Sequence, residues 1–145
     1  MSQELQNAVV RSLVLDADRE TVWRAISSDE GLAGWLAESA TIDIRPGGRG
    51  VVRFAGGHER RVRIAEVEDG RSITFDWSPA ALPDAETRVE LRLEDAADGS
   101  TRITVSETGF PTGDGRGSGR RAAAAWAWEA VLMALAALVV LVAVA

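Results

Sequence analysis

Along residues 86–94, apolar and charged side chains alternate without a break. Thr87, Val89, Leu91 and Leu93 fall on one side, and Glu86, Arg88, Glu90, Arg92 and Glu94 on the other. A period of two sends successive side chains to opposite faces of a strand, so this segment predicts a strand with one buried and one wet face. Runs at residues 9–15, 41–44, 50–54, 59–68, 72–77 and 101–107 predict further strands. Turn formers divide several of them: Pro46-Gly47-Gly48, Gly56-Gly57 and Asp98-Gly99. Tight turns join antiparallel neighbours, whereas parallel pairing needs crossovers that this stretch lacks. The pattern predicts an antiparallel sheet of about six to seven strands.

The period turns helical in two places. After the first strand, Asp18 is placed to cap a helix, and Val22, Trp23 and Ile26 recur at helical spacing. Leu32, Trp35 and Leu36 repeat it after Asp29 and Gly31. Two short helices are expected there. Residues 112–119 read as a Gly-rich loop, and residues 122–145 as one long helix. On it Trp128, Val131, Leu132, Leu135, Leu138, Val139 and Val142 share a stripe. Burying such a stripe contributes on the order of 10 to 20 kcal/mol gross, before entropy.

The opposite face of that helix is apolar too, with Trp126, Ala130, Met133, Ala134, Ala137, Val140, Leu141 and Val144. The segment is therefore also long enough to cross a bilayer, for which about 20 apolar residues suffice, with Arg120-Arg121 on the cytoplasmic side. Holding Glu129 at depth would cost about 2 to 3 kcal/mol, and the core needs the Trp128 stripe. The expectation is a packed helix whose outer face meets a second copy of the chain or a protein partner. A C-terminal membrane anchor is the alternative.

Composition narrows the chemistry. The chain has 145 residues and a formal net charge of −6, and every basic residue except His58 is Arg. That length suits one domain, expected to span residues 1–145. Cations interleaved with carboxylates, under a net negative charge, argue against nucleic acid. Without Lys there is no Schiff-base or P-loop chemistry, and without Cys no thiolate nucleophile or sulfur-ligated metal. Met1 to Asn7 is polar and carries no signal-peptide pattern, so a cytoplasmic location is expected.

Particular residues carry a resemblance. The stretch Asp18-Arg19-Glu20-Thr21-Val22-Trp23-Arg24-Ala25-Ile26, with Gly34-Trp35-Leu36 and Asp43-Ile44-Arg45-Pro46-Gly47-Gly48, resembles the opening of bacterial proteins similar to the C-terminal domain of the Hsp90 ATPase activator. Val67-Glu68 to Phe75-Asp76-Trp77, then Gly99-Ser100-Thr101-Arg102-Ile103-Thr104, and Trp128 with Leu132 and Leu135, resemble that family's later landmarks. The resemblance implies an α+β helix-grip fold of the SRPBCC, START-like or Bet v 1-like superfamily. Such a fold is a curved antiparallel sheet with two short helices, gripping a long C-terminal helix over a cavity. It implies a polar outer face for that helix, from which this sequence departs.

With such a cavity, Trp35, Phe54, Phe75, Trp77, Phe110, Trp128 and Leu132 are candidate walls for a small apolar ligand. Glu66 shares strand parity with Val62 and Ile64, and Glu107 with Ile103 and Val105, so both are candidate polar anchors facing inward. Their ordinary reading is two carboxylates near strand ends that reach water. Three functions stay open: binding of a lipid- or polyketide-like ligand, an accessory protein that meets a chaperone or other partner through its surface, and an enzyme similar to polyketide aromatase/cyclases.

No complete catalytic set is expected. His58 is the lone His, and at a Gly-Gly hairpin tip it reads as solvated rather than as a general base. His58 and Glu59 point opposite ways on a strand and make no metal site. Pro46-Gly47-Gly48-Arg49-Gly50 is followed by neither helix nor Lys, so it reads as a turn and not as a phosphate cradle. No cofactor is expected, and the absence of Tyr removes a phenolic acid from the cyclase reading.

Overall fold

A computed structural model describes the backbone of residues 8–111 and 116–144, and the side chains of residues 8–111 and 119–141. The elements in chain order are β1 (Val9–Leu15), α1 (Arg19–Ile26), α2 (Asp29–Ala33), β2 (Ser39–Ile42), β3 (Arg49–Arg53), β4 (Glu59–Glu68), β5 (Ser72–Pro79), β6 (Thr87–Asp95), β7 (Thr101–Thr108) and α3 (Arg116–Val144). The seven strands form one sheet, in the order β1-β7-β6-β5-β4-β3-β2, and every neighbouring pair is antiparallel. From β2 onward the chain is a meander. The two short helices carry it from β1 at one edge to β2 at the other, and α3 packs against β1 and α1. This is the α+β helix-grip architecture.

Local chemistry sets the corners. Asp18 caps α1 by accepting from the Thr21 amide at 2.8 Å, and Ser28 caps α2 by accepting from the Gly31 amide at 3.0 Å. Gly31 permits the tight α1–α2 corner, because a Cβ there would lie 2.5 Å from the Ala25 carbonyl oxygen. The Trp35 indole N–H donates to that same oxygen at 2.9 Å, fixing the corner to the core. Gly47 and Gly48 make a turn, their amides donating to Ile64 and Arg45 carbonyls at 2.8 Å each. Those amides are therefore used within the chain, as the turn reading requires.

Two boundaries differ from the pattern. The helix at α2 ends at Ala33, so Trp35 and Leu36 sit in the turn after it and still reach the core. The last helix begins at Arg116 rather than at residue 122. Each Gly in the first turns costs about 1 kcal/mol relative to Ala, but adding turns to a long existing helix needs no new nucleus. Residues 112–115 of the expected loop lie outside the described residues.

The core fills the concave side of the sheet, where Leu15, Val52, Ile73, Leu91, Leu93, Ile103 and Val105 meet Ile26 of α1 and Leu135 of α3. The convex side is wet except along β5, where Ser72, Thr74, Asp76 and Ser78 are buried as well. Asp76 accepts from Arg88 on β6 at 2.8 Å and from Arg63 on β4 at 3.0 Å, its partners across both ladders. The hydrogen bond from Arg88, with help from Arg63 and against the effect of burial, holds its carboxyl below the ordinary carboxylate value. A folded value below the unfolded one means that this stabilisation is present above about pH 4 and is lost as pH falls through the folded value.

The long helix divides as the periodicity predicts. Trp128, Leu132, Leu135 and Val139 are buried, with Val131 and Leu138 half-buried against the core. Trp126, Met133 and Leu141 on the other side are 77%, 64% and 65% exposed. The side chains of Val142 and Val144 lie outside the described residues. By length and composition alone, Gly119–Leu141 could cross a membrane. In this fold, however, Glu129 pairs with Arg11 of β1 at 3.0 Å, tying the helix to the edge of the sheet.

Candidate functional site

Three strand ends meet at one end of the concave face. Trp77 lies near the end of β5, Thr87 opens β6, and Glu107 nearly closes β7. Trp77 pairs in register with Thr87, and Val89 with Glu107, so these inward positions are near neighbours. On the inner face of α3, Trp128 comes down on them, stacked on Trp77 with centroids 5.8 Å apart and planes 21° apart. Phe54 and Phe75 meet Trp77 edge-on at 6.2 and 5.3 Å.

Glu107 is the polar centre of this cluster and is only 3% exposed. Its Oε2 accepts from the Trp77 indole at 3.0 Å and from the Thr87 hydroxyl at 2.5 Å, while Oε1 accepts from the Trp128 indole at 2.8 Å. An indole N–H can only donate, so each tryptophan demands an acceptor, and the two carboxyl oxygens of Glu107 supply one apiece. One side chain thus joins β5, β6, β7 and α3.

Beside this cluster a cavity of about 400 Å³ opens between sheet and helix. Leu36, Phe54, Phe110, Val131 and Trp128 give it apolar walls, and Ala123, Ala124 and Ala127 let the helix pass without filling it. Polar groups enter from His58, Arg60, Thr87, Glu107 and Arg120. The Arg60 guanidinium lies over the Trp77 ring, 4.7 Å from its centroid. Burial lowers the Arg60 pKa, the Glu107 carboxylate raises it in part, and the nearby Arg120 lowers it again.

Of the residues expected to line a cavity, the structure brings together Phe54, Trp77, Glu107, Phe110 and Trp128. The others stand elsewhere. Trp35 is buried in the α1–α2 corner, and Leu132 is buried in the core without lining the cavity. Phe75 borders a separate void of about 10 Å³, at most the size of one water. Glu66 is exposed on the convex face: the ladder between β4 and β5 slips between Ile64 and Glu66, a bulge that moves the inward positions from Val62 and Ile64 to Val67. Glu66 and Glu107 are therefore on opposite sides of the sheet and cannot work as an acid–base pair.

Arg60, Arg120 and Thr87 join the site beyond the expected residues, although the alternation of Thr87 with Val89 and Leu91 already puts it on the buried face. A signal existed for Arg60, which shares the inward parity of Val62 and Ile64. His58 is exposed, as expected for a hairpin tip, yet it also borders the cavity. Among the described residues no cluster of His, Asp and Glu is arranged to hold a metal.

Residues 16–140 match the family described as Activator of Hsp90 ATPase homolog 1-like protein. The chain belongs to this family. Solved structures agree with this Hsp90-activator-like fold. DynU16, described as a protein in the dynemicin biosynthetic locus, superposes with a TM-score of 0.78 at 22% identity, covering 90% of this chain but 46% of its own. Protein MLL2253 from Mesorhizobium loti gives 0.80 at 19% identity over 90% of this chain and 95% of its own. The Aha1 dimer from Colwellia psychrerythraea gives 0.71 at 18% identity over 88% and 92%. No protein with a curated description matches the chain.

Proposed function

We propose that this protein binds a small, largely apolar molecule, lipid- or polyketide-like, in the cavity between the sheet and α3. The observation that carries the reading is an unfilled space of about 400 Å³ walled by Phe54, Phe110, Trp77 and Trp128, a size within the usual range for ligand sites. The open space favours ligand binding over an accessory role through the surface alone. The occupancy of Glu107 by three donors, and the outward position of Glu66, favour binding over turnover. The occurrence of a structural relative in a biosynthetic locus is in keeping with a small-molecule ligand. N-phenyl-1-naphthylamine, a neutral apolar dye, should bind at one site per chain, and Ala127→Phe, which extends a ring into the cavity, should weaken it roughly tenfold. Binding unaffected by that substitution, or no binding, would remove the reading.

The exposed face of α3 supports a second reading, a homodimer. Trp126, Ala130, Met133, Ala137 and Val140 follow one another at spacings of four and three, the seam by which one helix packs on another. Large and small residues alternate along it, so an antiparallel copy centred between Ala130 and Met133 would set Ala137 against Trp126 and Ala130 against Met133. A dimeric structural relative and the docking of this helix on its own sheet favour association in the cytoplasm over membrane insertion. Light scattering should give twice the chain mass without detergent, and Met133→Glu should give the monomer. A monomer for the unaltered protein, or a need for detergent to keep it in solution, would count against the dimer.

A further inference from the structure

We infer that the ligand carries an oxyanion head (carboxylate, sulfonate or phosphate), held by Arg60 and Arg120 where they converge on the cavity. This rests on the ligand-binding reading above and specifies the chemistry of that site. Among the described residues Arg60 has no carboxylate within ion-pair distance and donates no hydrogen bond, although it is half-buried. Elsewhere Arg11, Arg53, Arg63, Arg88 and Arg92 each have an acidic partner at 2.6 to 3.2 Å. A desolvated guanidinium whose N–H groups find no acceptor is costly, its stacking on Trp77 leaves those N–H groups unmatched, and an apolar residue at this position of β4 would continue the run of Val62 and Ile64.

Nearby charges point the same way. Two guanidinium groups and one carboxylate border the cavity, and Arg120 acts unfavourably on Arg60. Glu107 offsets this only in part, and its two oxygens already serve the two indoles and the Thr87 hydroxyl rather than Arg60. An oxyanion between the two arginines would offset the burial of Arg60 and the repulsion together. A guanidinium suits this role because its planar fork matches an oxyanion with paired N–H groups. The aromatic and alanine walls then take the apolar body, so the expected ligand is an amphiphile with one acidic end.

The test compares two dyes that differ by one group: 8-anilinonaphthalene-1-sulfonate and its sulfonate-free counterpart, N-phenyl-1-naphthylamine. Both are titrated into the unaltered protein, Arg60→Gln, Arg60→Lys and Arg120→Gln, with Ala127→Phe identifying the cavity-bound fraction. Arg60→Gln should weaken the sulfonate dye roughly tenfold and the neutral dye less than about twofold, as loss of a charge-assisted contact requires. Arg60→Lys should restore part of the loss, and Arg120→Gln should act in the same direction, which keeps the test decisive if Arg60→Gln does not fold. Equal losses for both dyes, or no loss for the sulfonate dye, overturn the anionic head and leave the pocket standing. If neither dye binds in the cavity, the pocket reading falls and the head group falls with it.

Discussion

Replacing Glu107 by Leu is expected to lower the stability to unfolding by about 2 to 6 kcal/mol, a large share of the roughly 5 to 15 kcal/mol of an ordinary domain. The side chains are similar in size, so the loss is not one of packing. It comes from the Trp77 and Trp128 indoles, each left as a buried donor with no acceptor, at about 1 to 3 kcal/mol apiece. Glu107→Gln should fall between. Its amide oxygen can serve one indole, the Thr87 hydroxyl can turn to accept from the amide nitrogen, and one indole remains unmatched, for a cost of about 1 to 3 kcal/mol. Urea unfolding followed by tryptophan fluorescence measures both. A Gln variant indistinguishable from the unaltered protein would mean that these bonds do not hold the helix to the sheet.

Leu135→Ala should be comparably damaging. Leu135 lies at the centre of the inner stripe of α3 and is fully buried, and truncating such a residue costs about 2 to 5 kcal/mol, depending on how far the site collapses. The expected result is a clear drop in urea midpoint, with little change in slope, in buffer without detergent. The same substitution in a helix resting in lipid would leave the unfolding of the sheet unchanged. That outcome would overturn the docked helix.

The fold was legible because its signals are local and repeated. Alternation at Thr87, Val89, Leu91 and Leu93 fixed a strand, Asp18 a helix start, and the Trp128, Leu132, Leu135 and Val139 ridge a packed helix. Parity also brought Glu107 inward correctly, though its partners could not be read: the meeting of Trp77, Thr87 and Trp128 on one carboxylate depends on registers between strands distant in sequence. Glu66 shows where parity fails. One bulge residue reverses every later side chain in the strand, and Ala65 carries no mark of it. Trp35, Phe75 and Leu132 show a different limit, since apolar residues that line a cavity and those that fill a core obey the same periodicity. Arg60 was passed over because Arg is so frequent here that one inward example does not stand out from its exposed neighbours Arg61 and Arg63.

In solution α3 should dock through the Trp77–Glu107–Trp128 link and leave the cavity beside it open to an apolar molecule. Nitrogen-15 NMR of the five indole N–H groups tests it directly. The signals of Trp77 and Trp128 should be protected from solvent exchange and should shift on addition of N-phenyl-1-naphthylamine, while Trp35, protected by its bond to Ala25, should stay in place. Rapid exchange at Trp128 would mean that the helix is not held to the sheet by Glu107, and a dye response confined to Trp126 on the outer face would mean that the cavity is not the binding site.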